Sequence, residues 1–512
     1  MIKLGLVKFL TFGLTFVLVS SALCGAGSSQ DGERVLRVPY TADVGTFDPD
    51  NGFEVGSISA IDSVYEGLVK YSPGSTTIVG SLAESWQTSA DGRIYTFHLV
   101  EGVNFHDGEP LTAQAVVASF ERRKQKGMAL GYFLDNVENI EAVDNSEVKI
   151  TLQGPQASFL DTLASPWGPK IVSPAALKNH DAGDNGKGWL NEHAIGTGPF
   201  KLTKFDRGSQ YVLERNEDYW GQKPYFNRIQ ITVVPDISQQ ILKLRAGEVD
   251  VVPTGCPYAQ LGMLPENLSV TSIASTAQYA LFLKPGTALD DVQVRKAVLA
   301  AVNPRTWMSD VFGQYAAQSQ SIYPNLILEP GTRIEFPSDM SEAAKVIADK
   351  GGLKISIGTF RDTPTYRRIS GVLTAQLASI GVDATSYALA PGAAFNLKAD
   401  PNSPDMLLTI AGPDAADPEN QAVAFFTADA PLNFYGRVVS DADELVKQAR
   451  TVLDQAKRKT IYEAAGRLYY EAGTDIPLVD ADDVVVHVKG LTDLGLRPVF
   501  PPGNIDFGSV RR

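Results

Sequence analysis

The sequence predicts an α/β protein of two or more domains, and three observations carry that prediction. Its 512 residues are enough for two or more substantial cores. Short strand-like runs alternate with runs of helical period along much of the chain. The stretch 195–253 shows the unit most clearly. There Ile229, Ile231 and Val233 alternate as in a half-buried strand, and Asp236 or Ser238 caps a helix with Ile237, Ile241 and Leu244 on its apolar face. Gly247 stops that helix, and Val249 and Val251 resume a strand.

The first residues form a targeting segment. Lys3 and Lys8 give a basic start, residues 9–22 are apolar, and small residues follow from Gly25 to Ser29. A signal peptide over residues 1–26 is expected, cleaved after Cys24-Gly25-Ala26. Cys24 also admits a lipid anchor. Leu23, however, stands where a lipoprotein signal needs a small residue, so removal is the expected outcome. Without Cys24 only Cys256 remains, which leaves no internal disulfide. No later apolar run is long enough to span a bilayer. An exported, periplasmic protein is expected, and a monomer. The net charge of −14 argues against nucleic acid as a partner.

In chain order, residues 35–38 read as a strand, followed by the loop Thr46-Phe-Asp-Pro49. Residues 57–69 read as a helix with Ile58, Ile61, Val64, Tyr65 and Leu68 at helical spacing. Asp91-Gly92 is a turn, after which Tyr95, Phe97 and Leu99 alternate as a strand. The loop Gly102-Val-Asn-Phe-His-Asp-Gly108 leads to a helix over 111–120 capped by Thr112. Residues 157–177 mix helix and loop around Trp167, and 181–195 read as an exposed loop. Residues 279–283 are a strand, and 291–302 an Asp-capped helix ended by Asn303-Pro304. Then come a helix over 341–350, a strand over 353–357, a helix over 366–379, and strands at 381–385 and 406–410. This alternation argues for a mostly parallel sheet. Residues 442–473 are mainly helical, and 476–479 and 484–488 are closing strands.

Catalytic signatures are missing: there is no Gly-x-Ser-x-Gly, His-Glu-x-x-His, Gly-Lys-Ser/Thr or Cys-x-x-Cys. The five histidines are scattered, so no metal and no cofactor is expected. His106 reads as a turn residue whose imidazole bonds to backbone.

Several blocks carry a family resemblance: Tyr65-Glu-Gly-Leu68, Phe105-His-Asp-Gly108, Gly196-Thr-Gly-Pro-Phe200, Leu244-Arg-Ala-Gly-Glu-Val-Asp250, and the helix from Asp291. In this order they resemble the extracellular solute-binding proteins of family 5, the oligopeptide, dipeptide and nickel receptors of ABC importers. The resemblance spans almost the whole mature chain. It implies a two-lobe periplasmic-binding-protein-like fold with a hinge. The first lobe would cover 30–275, with an inserted subdomain at about 71–194. The second would cover 276–489, and 490–512 would return to the first. It further implies a small peptide-like ligand held between the lobes, an ABC permease as partner, and no enzymatic activity. Other cargoes within the class are an opine, an oligosaccharide or a nickel chelate. A rival class is an exported hydrolase, which would need a nucleophile with a base, or two facing carboxylates, in the cleft.

The resemblance also points to ligand-binding residues. Asp414 matches the acid that pairs with a peptide's α-ammonium, with Asp417 at the following Asp-Pro; the alternative for both is a turn or helix-cap role. Arg361 matches the arginine that grips the ligand carboxylate, the alternative being a surface arginine paired with Asp362. Gly45 and Thr46 would offer hydrogen bonds, while Phe47, Trp167 and Tyr279 would serve as packing surfaces or as core. Two departures stand out. Ala411-Gly412 occupies the place of a common aromatic, and Leu283-Lys284-Pro285 lacks the usual asparagine.

Overall fold

The structure, a computed structural model, describes residues 32–53, 55–331 and 333–512. The expected signal peptide and Cys24 lie outside the described residues. Among the described residues no helix is long and apolar enough to cross a membrane.

The first lobe is built on a four-stranded sheet. Val35–Tyr40 runs parallel to Arg228–Val233, which pairs antiparallel with Gln210–Arg215, and that in turn with Phe200–Asp206. The alternation read in the sequence is the buried face: Ile229 and Ile231 are buried, with their neighbours half-buried. They pack with Leu36, Val38, Phe200 and Leu213, and with Phe507 and Val510 from the C-terminal tail. A second four-stranded sheet, Ala83–Thr88, Ile94–Leu99, Glu147–Leu152 and Val137–Ala142, has its own core. Phe97 and Ile150 meet Val116 and Phe120 of the helix Ala113–Arg123 there.

The glycine-rich signature joins these parts. The helix Ile58–Val64 stops short of the expected 57–69. Its last carbonyl, that of Val64, accepts the Gly198 N–H at 2.9 Å. A Cβ on Gly196 would lie 2.1 Å from the same oxygen, so only glycine fits. The Thr197 hydroxyl donates to buried Glu66 at 2.8 Å. From the other side, the His106 N–H donates to the Gly196 carbonyl, and its ring Nε2 sits 2.9 Å from the Gly198 carbonyl. Burial pushes that imidazole down to about 4, so it is neutral at pH 7. Two separated motifs thus form one structural joint, and His106 bonds to backbone as its turn reading holds. The acid ending the other signature, Asp250, is buried against the Arg37 guanidinium with two 2.9 Å bonds.

Two long antiparallel strands, Leu268–Leu283 and Asp475–Val488, connect the lobes, with a register break between Ile273 and Ala277. Beyond the break, Leu268–Leu283 pairs with Met406–Ala411, followed in order by Leu353–Thr359 and Val382–Ala388. The sheet is mixed, not mostly parallel. Leu353–Thr359 runs parallel to both of its neighbours, Val382–Ala388 and Met406–Ala411, while Leu268–Leu283 pairs antiparallel on both sides. The chain enters the second lobe along one connecting strand and leaves along the other, which makes that pair antiparallel. Both faces are covered, as near-continuous apolar strands require. Leu281, Ile357 and Leu408 pack under the helices Val292–Ala301 and Pro364–Ser379. Phe282 and Leu407 face Pro418–Phe425 and Gln455–Glu471.

Candidate ligand-binding cleft

A cavity of about 1370 Å³ lies between the lobes. The first lobe lines it with Tyr132, Phe133, Trp167 and Phe500. The second contributes Tyr279, Phe360, Arg361, Tyr366 and Asp414, and the connecting strand Asp475–Val488 contributes Asp482. Aromatic walls carrying a few charges are the usual make-up of a small-molecule site, and clefts between domains are its usual place.

Asp414 follows the strand Met406–Ala411, at the start of the loop that ends in the cap of the next helix. Its carboxylate accepts the Tyr132 hydroxyl at 2.6 Å and meets no cation among the described residues. Burial pushes it up to about 6, against the pull of the tyrosine bond. It is enclosed by protein yet still half-buried by surface area, because it borders the open cavity. Arg361 follows Leu353–Thr359 and also lines the cavity, with its guanidinium 5.8 Å from the Phe360 ring centre. Asp362 pairs with Arg367 instead, which leaves Arg361 without a carboxylate among the described residues. Trp167 is buried but lines the cavity, stacked on Phe53 at 5.1 Å and tilted against Phe500 at 5.7 Å. Tyr279 does the same from the opposite lobe, edge-on to Tyr366 at 5.7 Å. Both aromatics are therefore core residues that also present a surface to the cavity.

The other expected residues go elsewhere. Gly45, Thr46 and Phe47 are not among the residues lining the cavity. Phe47 is in the first-lobe core against Phe205 and Tyr211, the Thr46 hydroxyl donates to Asn191 at 2.8 Å, and the Gly45 carbonyl accepts Arg207. The loop is held inward because Asp48 and Asp50, both buried, are gripped by Arg122. Asp417 is not a lining residue either. It caps Pro418–Phe425 by accepting the Glu419 N–H at 2.8 Å, and it pairs with buried Arg458.

Three lining residues escaped the sequence reading. Tyr132 lies in a 3₁₀ turn, Gly131–Leu134, with no periodic signal. Phe500 fills the space beside Gly412: a Cβ there would sit 2.9 Å from the Phe500 ring. The aromatic missing before the Asp414 loop is thus replaced by one from the far end of the chain. Asp482 had a legible signal, since the run Asp480-Ala-Asp-Asp483 interrupts an otherwise apolar strand and buried carboxylates need partners. Asp480 has Ser319, Asn325 and Gln278, and Asp483 has the Gly503 N–H. Asp482 has none among the described residues.

The loop bearing Asp414 also meets the first lobe. Besides Tyr132, the Ser165 hydroxyl donates to the Asp414 carbonyl at 2.5 Å, and Ser158 donates to Glu419 at 2.8 Å. The Tyr71 hydroxyl accepts the Ala416 N–H at 2.9 Å and donates to Asp161 at 3.0 Å. Burial, then the nearby Asp417 carboxylate, push Asp161 well above the usual carboxylate range. Among the described residues no cluster of three or more metal-ligating side chains occurs.

Comparison with known proteins agrees with this architecture. The chain is 27% identical over 502 residues to di/tripeptide-binding protein 2 of Pseudomonas aeruginosa (strain UCBPP-PA14), covering 91% of this chain and 93% of that protein. The periplasmic binding protein DppA from Helicobacter pylori, solved in complex with the peptide STSA, superposes with a TM-score of 0.76 at 25% identity, over 93% of this chain and 97% of that one. NikA from Brucella suis, solved with Fe(III)-EDTA, shares the fold with a TM-score of 0.83 at 22% identity, over 94% and 100% of the chains. Residues 77–432 match the family described as bacterial extracellular solute-binding proteins, family 5 middle. With most of its length inside that match and two lobes closed on an aromatic cavity, this chain belongs to the bacterial extracellular solute-binding proteins of family 5.

Proposed function

We propose that this protein is the receptor of an ABC importer that captures di- and tripeptides between its lobes and hands them to a membrane permease. The observation that carries the reading is the pairing of opposite needs in one cavity. Among the described residues Asp414 has no cation and Arg361 has no carboxylate, and a zwitterion supplies both. The volume of about 1370 Å³ exceeds that of a typical drug-sized site, which suits a short peptide with its side chains. The relatives named for di- and tripeptides add support. Export through residues 1–26 and monomeric action complete the proposal.

The receptor performs no chemistry on its cargo. The cysteine bordering the cavity, Cys256, has its thiol pushed up to about 11 by burial, where it is no nucleophile at neutral pH. Glu419 is neutralised by Arg450 and Arg458 and so is no free acid–base partner.

The test is a thermal-shift and calorimetric titration of the mature protein, refolded to strip carried-over ligand. Dipeptides are expected to raise the melting temperature, because they bind only the folded state. N-acetylation and C-amidation should each abolish most of the shift. Equal shifts with blocked and free dipeptides would sink the Asp414 and Arg361 roles. A shift only with nickel chelates, opines or sugars would keep the receptor and discard the peptide.

The affinity should also fall in acid. In the free receptor Asp414 takes up a proton near pH 6, whereas a bound ammonium holds it ionised. Binding is therefore full above that value and weakens as pH drops through it. About a tenfold rise in Kd is expected between pH 7 and pH 5. A Kd flat over that range would contradict the pairing.

A further inference from the structure

The cavity lining includes a half-buried carboxylate that the two termini of a simple dipeptide leave without a partner. Its ionisable lining groups can be accounted for one by one. Glu419 is paired with Arg450 and Arg458, and Lys447 with Glu444. Asp443 accepts the Tyr469 hydroxyl and the Ala428 N–H, and Asp483 accepts the Gly503 N–H. Asp135 and Asp429 stand exposed to solvent. What remains is Asp414, then Arg361, which is itself exposed and has no carboxylate among the described residues, and half-buried Asp482. The first two match the termini of a peptide on the reading above, which leaves Asp482.

Asp482 is half-buried on the connecting strand Asp475–Val488. Its own backbone is fully engaged: the N–H donates to the Tyr315 carbonyl, and the carbonyl accepts the Tyr258 hydroxyl at 2.9 Å. The carboxylate, by contrast, meets no donor and no cation among the described residues. Burial raises its pKa, with no neighbouring group opposing the shift. One lining residue, Tyr258, stands beside it, and its ring packs edge-on against Phe312 at 4.9 Å, which fixes its orientation. A rigid aromatic next to an unpaired carboxylate is a setting that suits a cationic side chain.

We infer that Asp482, with Tyr258, forms a second cation subsite that selects cargo carrying a basic side chain. This rests on the peptide reading and deepens it, since the preferred class becomes short peptides containing lysine or arginine. Asp414, Arg361 and Asp482 sum to one negative charge, Asp443 and Asp483 add no cation, and a basic dipeptide brings one positive charge. An acidic dipeptide brings the opposite sign into a partly desolvated space and should be disfavoured.

Calorimetric titration of the refolded wild-type protein and of Asp482→Asn with Ala-Ala, Ala-Lys, Lys-Ala and Ala-Glu tests the inference. Asparagine keeps the shape and removes the charge, so folding should survive. In the wild type, at least one of the lysine dipeptides should bind about ten- to a hundredfold tighter than Ala-Ala, as a charge-assisted bond predicts. In Asp482→Asn that advantage should vanish while the Ala-Ala Kd stays within about twofold. Equal weakening of all four peptides would make Asp482 a structural residue and overturn the inference. So would an unchanged lysine preference, or a wild type with no such preference. A wild type that binds none of the four would bring down the peptide reading itself, and the subsite with it.

Discussion

Asp414→Ala is expected to raise the Kd for a free dipeptide by two to three orders of magnitude while leaving the folded state intact. Truncating one partner of a hydrogen-bonded, desolvated charge pair costs about 2–5 kcal/mol, because the ligand ammonium is then enclosed without a counter-charge. The carboxylate borders the cavity and has only the Tyr132 hydroxyl as a partner, so its loss removes little from the core. Titration calorimetry reads the affinity, and far-ultraviolet circular dichroism reads the fold. Asp414→Asn separates charge from shape: it should bind dipeptides nearly as poorly as the alanine variant. An affinity within threefold of wild type in both variants would remove Asp414 from the ligand's surroundings.

Arg122→Ala is expected to destabilise the first lobe by about 3–5 kcal/mol, the cost of leaving buried charges unmatched. The guanidinium donates to Asp48 at 2.7 and 2.8 Å and to Asp50, and its Nε donates to the Asn185 carbonyl at 2.8 Å. Arg123 contacts Asp50 at 3.1 Å, which compensates only part of the loss. Scanning calorimetry should show a marked fall in melting temperature. Adding Asp48→Asn and Asp50→Asn to the variant should recover a good part of it, since the uncompensated charges then disappear. A loss below about 1 kcal/mol would mean that these acids tolerate burial without the arginine.

The same ion pairs explain why part of the site was legible in the sequence and part was not. Asp414 and Arg361 come from the family resemblance, which assigns ligand groups to loops after strands, and both do follow strands and line the cavity. Gly45, Thr46 and Phe47 also sit in a loop after a strand. Their loop is pulled inward by Arg122, an arginine distant in sequence, and no local pattern announces that tether. Asp417 had two plausible roles, and the cap role is the one its geometry fits. Helix caps at Thr112, Asp236 and Asp291 depend on residues two or three positions away, and all three were readable. The mixed second-lobe sheet was not. Strand direction there depends on where the chain crosses between lobes, which periodicity does not encode. Phe500 shows the same limit, because its partner Gly412 lies far upstream.

The hydrogen bonds that tie the Asp414 loop to the first lobe bear on how such a receptor reports its state. Tyr132 donates to one oxygen of the Asp414 carboxylate, and Ser165 and Tyr71 hold the backbone that follows at the Asp414 carbonyl and the Ala416 N–H. On the proposed peptide reading, that phenol stands in for the cargo's ammonium. A permease that sensed only whether the lobes were shut would take an empty receptor for a loaded one. To be told apart, a true delivery must outlast a false alarm, and on the proposed reading a competition between one phenol and one ammonium for Asp414 would set how often the alarm is false.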